Sequence, residues 1–244
     1  MKKNSFALLF LLISVVANAQ FKNILKNPLR KDSSGKISIG SLSNLSTDDV
    51  ASGLKEALSK GVETSTSLLS SPDGFFKNAA VKILIPPEAQ KVEKTLRSAG
   101  LGTQVDQAIL TMNRAAEDAA KSAAPIFLDA VKQMTITDAM NILKGSDSAA
   151  TTYLKASTTS ALTAAFRPVI DSSLKKVDAT KYWSSLTTTY NQMPFVKKVE
   201  TDLTTYVTGK ALDGMFHEIA LKEKDIRQNP AARTTDLLKK VFAK

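Results

Sequence analysis

The residues able to do chemistry in this chain are few. There is one histidine, His217, and no cysteine at all. The absence of cysteine removes thiolate nucleophiles, disulfides, iron–sulfur clusters and cysteine-ligated zinc together. A single imidazole excludes a histidine metal pair. A general base at His217 would need a nucleophile from another helix, since Glu218 beside it points to a different side of a helical turn. Serine and threonine are abundant, yet none sits in a Gly-x-Ser-x-Gly elbow. Asp171, Asp178, Asp202 and Asp213 lack the spacing of a calcium loop, and nothing else calls for a cofactor or a metal.

The most specific polar string is Met112-Asn113-Arg114-Ala115-Ala116-Glu117-Asp118. On a helix it stacks Asn113 over Glu117 and Arg114 over Asp118, four residues apart on neighbouring faces. Asn113, Arg114 and Glu117 are therefore the candidate ligand-binding residues: Arg114 to hold an anionic group, Asn113 to position it. The same spacing equally makes helix-stabilising surface pairs or a buried pair linking helices. An enzymatic alternative, a hydrolase assembled only in three dimensions, would draw on Arg114, Glu117, His217 and Tyr206.

Charge supplies a second candidate surface. The chain carries 33 Lys and Arg against 23 Asp and Glu. Without Lys2 and Lys3 the excess is divided between two ends, +4 over residues 21–36 and +4 over residues 222–244, and the stretch between them is balanced. Clustered cations reward an anionic membrane surface, an acidic envelope protein or nucleic acid by the same Coulomb and counterion terms. Nucleic acid fits worst, because the basic stretches lack interleaved aromatics for base stacking. Arg227, Arg233, Lys239 and Lys240 are the candidate anionic-surface contacts. The segment from Asn229 to Phe242 reads either as a clasp closing the domain or as an amphipathic basic helix lying on a membrane or partner.

The elements that must position these residues are helical. Residues 1–19 read as a signal peptide: Lys2 and Lys3, an apolar run from Phe6 to Val16 too short to span a bilayer, then Ala17-Asn18-Ala19 as a cleavage signal. The expectation is export to the periplasm or beyond after cleavage near Ala19, with no cysteine at the cleavage point to carry a lipid anchor. Residues 20–45 read as a flexible basic leader. From Ser46 to residue 244 apolar residues recur at three and four, giving one all-α domain, a bundle of eight or nine helices. Ser46 with Asp49, and Thr135 with Asp138, have capping-box spacing; Pro72-Asp73-Gly74 is a turn, and Val81 to Ile85 an extended connector. Pro125 begins or kinks one helix and Pro168 bends the longest. Asp178 caps the next helix, Met193-Pro194 stops it, and a cap at Thr234 opens the last. The hydroxyl-rich strings Ser157-Thr158-Thr159-Ser160 and Ser184-Ser185-Leu186-Thr187-Thr188-Thr189 read as close packing with hydroxyls bonded back to carbonyls, or as a polar groove wall.

Several strings resemble a family of exported bacterial proteins catalogued only as a domain of unknown function. They include Leu54-Lys55-Glu56-Ala57-Leu58, Pro72-Asp73-Gly74-Phe75, Met112 to Glu117, Lys132-Gln133-Met134-Thr135 and, longest, Asn229-Pro230-Ala231-Ala232-Arg233-Thr234-Thr235-Asp236-Leu237-Leu238-Lys239-Lys240-Val241-Phe242. The resemblance spans roughly Val50 to Phe242 and implies a signal peptide and a helical fold. It carries no catalytic residues across. The function read from the residues is a non-enzymatic binding or interaction module of the cell envelope, meeting an anionic surface or enclosing an apolar ligand such as a lipid tail.

Overall fold

The computed structural model describes residues 46–176, 179–192, 194–195, 198, 200 and 202–242. The stretches read as signal peptide and leader, the expected cap at Asp178 and the expected stop at Met193 lie outside the described residues. Among those described, the secondary structure is nine α-helices and two 3-10 turns, with no strand. They are α1 (Thr47–Ser70), α2 (Gln90–Ser98), α3 (Gly102–Ala120), α4 (Ala123–Gln133), α5 (Ile136–Lys144), α6 (Ala149–Lys175), α7 (Ala179–Asn191), α8 (Leu203–Gln228) and α9 (Asp236–Val241). The all-α single-domain architecture read from the periodicity is the one observed. No described helix is long and apolar enough to cross a membrane.

The longest helix, α6, is the axis of the bundle, and its sequence explains why. Ala150, Leu154, Thr158, Leu162, Phe166, Ile170 and Leu174 are all buried and stand four apart. Because a helix turns every 3.6 residues, each step of four rotates the buried direction by about 40°, so the stripe winds round the helix. Different neighbours can then pack on different sides along its length: α4 and α5, α3, α8 and α7. Pro168 lies inside α6 but on its exposed side, so the carbonyl it strips of a partner faces water. Pro125, by contrast, falls in the first turn of α4, where amide hydrogens have no helical acceptor to lose. The hydroxyls of Ser157, Thr158, Thr159 and Thr163 each donate to the carbonyl four residues back, at 2.6 to 2.8 Å, and Thr187 does the same on α7. The bonding of hydroxyls back to carbonyls is thus observed at these residues, and of the two strings Thr158 and Thr187 are buried.

Helix α1 lies across α3, α4, α5, α8 and α9. It opens on the expected capping box, with the Asp49 amide donating to Ser46 Oγ at 3.1 Å and the Ser46 amide donating to the Asp49 carboxylate at 3.1 Å. Thr135 and Asp138 repeat the arrangement at α5, at 3.1 and 3.0 Å. Helix α8 starts at Asp202, whose Oδ1 accepts from the amides of Thr204 and Thr205.

These caps set an acid response. Hydrogen bonds from the Ser46 side chain and backbone hold the Asp49 carboxyl below its ordinary value, and those from Thr135 do the same for Asp138. A carboxyl depressed in the folded state stabilises the fold fully above its unfolded pKa, and that stability is lost as pH falls through the lower folded value. The urea midpoint is therefore expected to hold steady from about pH 7 to pH 5 and to decline below about pH 4. Asp138→Asn should shallow the decline, which parallel urea titrations at a series of pH values would measure.

Candidate functional site

The polar string on α3 folds into a clamp. Asn113 is fully buried, and its carboxamide pairs with the backbone of Ile83 as a neighbouring strand would. Oδ1 accepts from the Ile83 amide at 2.8 Å, and Nδ2 donates to the Ile83 carbonyl at 2.8 Å and to the Ile109 carbonyl at 2.7 Å. One turn on, Glu117 Oε1 accepts from the amides of Phe75 and Phe76, both at 3.1 Å. Its Oε2 takes Arg114 Nη1 at 2.6 Å, and Arg114 Nη2 reaches Asp73 at 2.6 Å. Asp73 stands at φ 68 and also pairs with Lys77.

The connector of residues 71–86 is thus gripped from α3. It is gripped from α8 as well. Asn78 Nδ2 donates to Glu218 at 2.9 Å, and Phe75 packs so closely on Gly214 that a Cβ there would lie 2.7 Å from its ring. Tyr206 adds a hydroxyl bond to the Leu84 carbonyl at 2.8 Å.

Of the two four-apart pairs expected on α3, neither forms as drawn. Arg114 takes Glu117, three residues on, because Glu117 is drawn inward by the two Phe amides. Asp118 stays on the exposed face and pairs with Lys121. Asn113 bonds backbone instead of Glu117. Asn113, Arg114 and Glu117 are brought together, but their polar atoms are committed to the connector. His217 is exposed on α8, on the opposite side of the turn from buried Glu218.

Asn113→Leu is expected to cost roughly 3 kcal/mol, since it strands a buried amide and a buried carbonyl of Ile83. Chemical denaturation would show it. A loss below about 0.5 kcal/mol, the scale of an ordinary surface substitution, would mean that the connector does not depend on this pair.

A second cluster takes in Arg227 and Arg233, two of the candidate anionic-surface contacts. Glu223 is buried and accepts from the Ala150 amide at 2.9 Å, the Thr151 amide at 2.8 Å and the Thr151 hydroxyl at 2.8 Å, at the start of α6. Arg227 pairs with Glu223 at 3.0 Å and donates to the carbonyls of Ile142 at 2.8 Å and Leu143 at 3.3 Å, at the end of α5. A carboxylate thus sits at a helix N-terminus and a guanidinium at a C-terminus, each matched to the local dipole. Arg233 is also buried and donates to the carbonyls of Ile226 and Arg227 at the end of α8.

Arg227 and Arg233 are therefore bound up in helix ends, where they cannot meet an outside surface. Lys239, paired with Asp236, and Lys240 remain exposed on α9. That helix docks on α1 with Leu238 and Val241 buried, where the bare Gly53 lets the Val241 and Leu237 side chains approach. Its cap is Thr235, not Thr234: the Thr235 hydroxyl accepts from the Leu238 amide at 3.2 Å.

The cavity lies elsewhere. A space of about 770 Å³ opens between α2, α3, the connector and the first turns of α7 and α8. Ile85, Val92, Leu96, Val105, Ala108 and Met112 supply most of its wall, and Trp183 and Leu203 close one end. Trp183 is held in place by its indole N–H donating to the Glu200 carbonyl at 2.9 Å and by stacking on Tyr206. None of Asn113, Arg114, Glu117, His217 and Tyr206 lines it.

Helix α2 is the unusual wall. It is strongly amphipathic, yet not one of its residues is buried. Val92 and Leu96 turn toward the cavity, and the helix is tied down at its far end by Arg97, which reaches Glu93 at 2.9 Å and Asp106 of α3 at 2.7 Å. In sequence α2 is one more amphipathic stretch of the bundle that starts at Ser46. The one signal available was its shortness between Pro86-Pro87 and Gly100-Leu101-Gly102.

Compared with protein-family models, residues 44–243 match the family described as "Protein of unknown function (DUF4197)", and the chain belongs to that family. A search of curated proteins and a search of solved structures found no match.

Proposed function

We propose that this chain is a non-enzymatic binding module of the cell envelope, which holds an apolar ligand in the cavity beneath α2. Residues 1–19 would deliver it there as a signal peptide. The observation that carries the reading is the apolar face of α2. An amphipathic helix is stable in water because its apolar stripe is buried. Here that stripe is only partly buried, and Val92 and Leu96 border a space of about 770 Å³ shared with α3. The size is that of a small-molecule site, and the lining is of the same kind: mostly aliphatic, one aromatic, a few polar groups at the edge. The polar clusters that looked chemical are occupied in holding the connector and the helix ends, and so keep rigid the walls against which α2 leans.

Titration with N-phenyl-1-naphthylamine, a dye that brightens on leaving water, tests the proposal. Saturable brightening at one dye per chain is the expected result. Fluorescence no greater than that of a helical protein without a cavity would overturn it.

A further inference from the structure

The charges around the cavity point to the class of ligand, and this step rests on the apolar-site reading above. Among the described residues that line it, Glu93 is the one ionisable side chain. It is already engaged by Arg97 Nε at 2.9 Å, and Arg97 Nη2 is engaged by Asp106 at 2.7 Å. Two carboxylates share one guanidinium, so the charged groups at this edge are already paired with one another. The hydrogen bonds that Arg97 donates to Asp106 and Glu93 raise its pKa and keep the cation in place. The other cations of α2, Lys91 and Lys94, are exposed and take no part in the lining.

Uncharged polar groups fill the remaining edge. Thr103, Gln104, Gln107 and Thr111 line the cavity from α3, and positions 103, 107 and 111 follow one another at successive turns of one face. The Thr111 hydroxyl donates to the Gln107 carbonyl. The side chains of Thr103, Gln104 and Gln107 have no hydrogen-bond partner among the described residues, so two carboxamides and a hydroxyl stand ready at the mouth of an otherwise greasy space. A carboxamide both donates and accepts, which suits a hydroxyl, ester or amide head. A charged head of either sign would shed water at the mouth without finding, among the described lining residues, an unpaired charge opposite to its own.

We infer that the site takes an uncharged amphiphile, with its hydrocarbon part under α2 and a neutral polar head at Gln104 and Gln107. Fatty acids, anionic phospholipids and long-chain amines are disfavoured because the charges at this edge are already paired.

Competition against the bound naphthylamine dye decides it, with dodecanol, dodecanoate and dodecylamine as probes at neutral pH and below their aggregation limits. Dodecanol should displace the dye at about tenfold lower concentration than either charged analogue, which corresponds to about 1.4 kcal/mol. Gln104→Leu combined with Gln107→Leu should narrow the gap between dodecanol and its charged analogues several-fold. Glu93→Lys should swing the preference toward dodecanoate. Dodecanoate or dodecylamine displacing the dye as well as dodecanol does would overturn the inference and leave the cavity reading standing. Failure of the dye itself to bind would strike that earlier reading instead.

Discussion

Glu223→Ala is expected to destabilise the fold by about 3–5 kcal/mol, the usual cost of removing one partner from a buried ion pair. Arg227 would be left as a nearly buried, uncompensated cation, with a side chain only 10 % exposed. The Ala150 and Thr151 amides at the head of α6 would lose their acceptor at the same moment. A typical domain has about 5–15 kcal/mol in total, so the variant should melt well below the parent or fail to accumulate. Pairing the change with Arg227→Met separates the terms. In a simple ion pair the double variant recovers much of the loss, because neither charge is left alone. Here recovery should be partial: the α6 amides and the Ile142 and Leu143 carbonyls remain without their partners. Urea midpoints of the parent, both single variants and the double variant form the cycle. Full recovery in the double variant would show that the helix-end hydrogen bonds contribute little.

Ala108→Trp should abolish dye binding, with an affinity loss of about a hundredfold or more, while the chain stays folded. Ala108 sits on α3 between Val105 and Met112, on the cavity wall, and is only partly buried. A large ring there fills space that a ligand would otherwise use, and it need not displace close-packed core, where overpacking usually costs 1–3 kcal/mol. Leu96→Glu offers a second route from the opposite wall. It places a charge on the apolar face of α2, lowering ligand affinity without adding bulk. Dye titration and thermal melting on the same samples separate loss of binding from loss of fold. If both variants bind dye like the parent, the dye occupies some other surface.

The local features of the fold were readable from sequence because their partners are local. Ser46 with Asp49 and Thr135 with Asp138 are three residues apart, and the hydroxyls of Ser157 to Thr159 bond carbonyls one turn back. The winding stripe of α6 was also present as Leu154, Leu162, Phe166, Ile170 and Leu174. What escaped was every interaction whose partner is distant backbone. Glu117 bonds amides 41 and 42 residues away, and Glu223 bonds amides 72 and 73 away. No spacing rule reaches that far. Arg227 and Arg233 misled for the same reason: a basic residue near a C-terminal helix end looks alike in sequence whether it faces solvent or a buried carbonyl. Adjacent hydroxyls at Thr234 and Thr235 offered two equivalent caps, and the docking of Leu238 on α1 selected the second.

The cavity was hidden in another way. Val92, Leu96, Val105 and Met112 have the spacing of core residues, and periodicity reports only which residues leave water. It is silent on whether they meet protein or a ligand. Alanine at 108 was the trace, a small residue where a packed interface would carry a larger one.

Native mass spectrometry of the protein purified from its own host without detergent tests the central claim most directly. The expected result is a mass above that of the bare chain, with the excess released on denaturation as a small uncharged amphiphile and missing from Ala108→Trp. A wild-type protein that flies at its bare chain mass, and that still gains no mass when mixed with dodecanol, would contradict it.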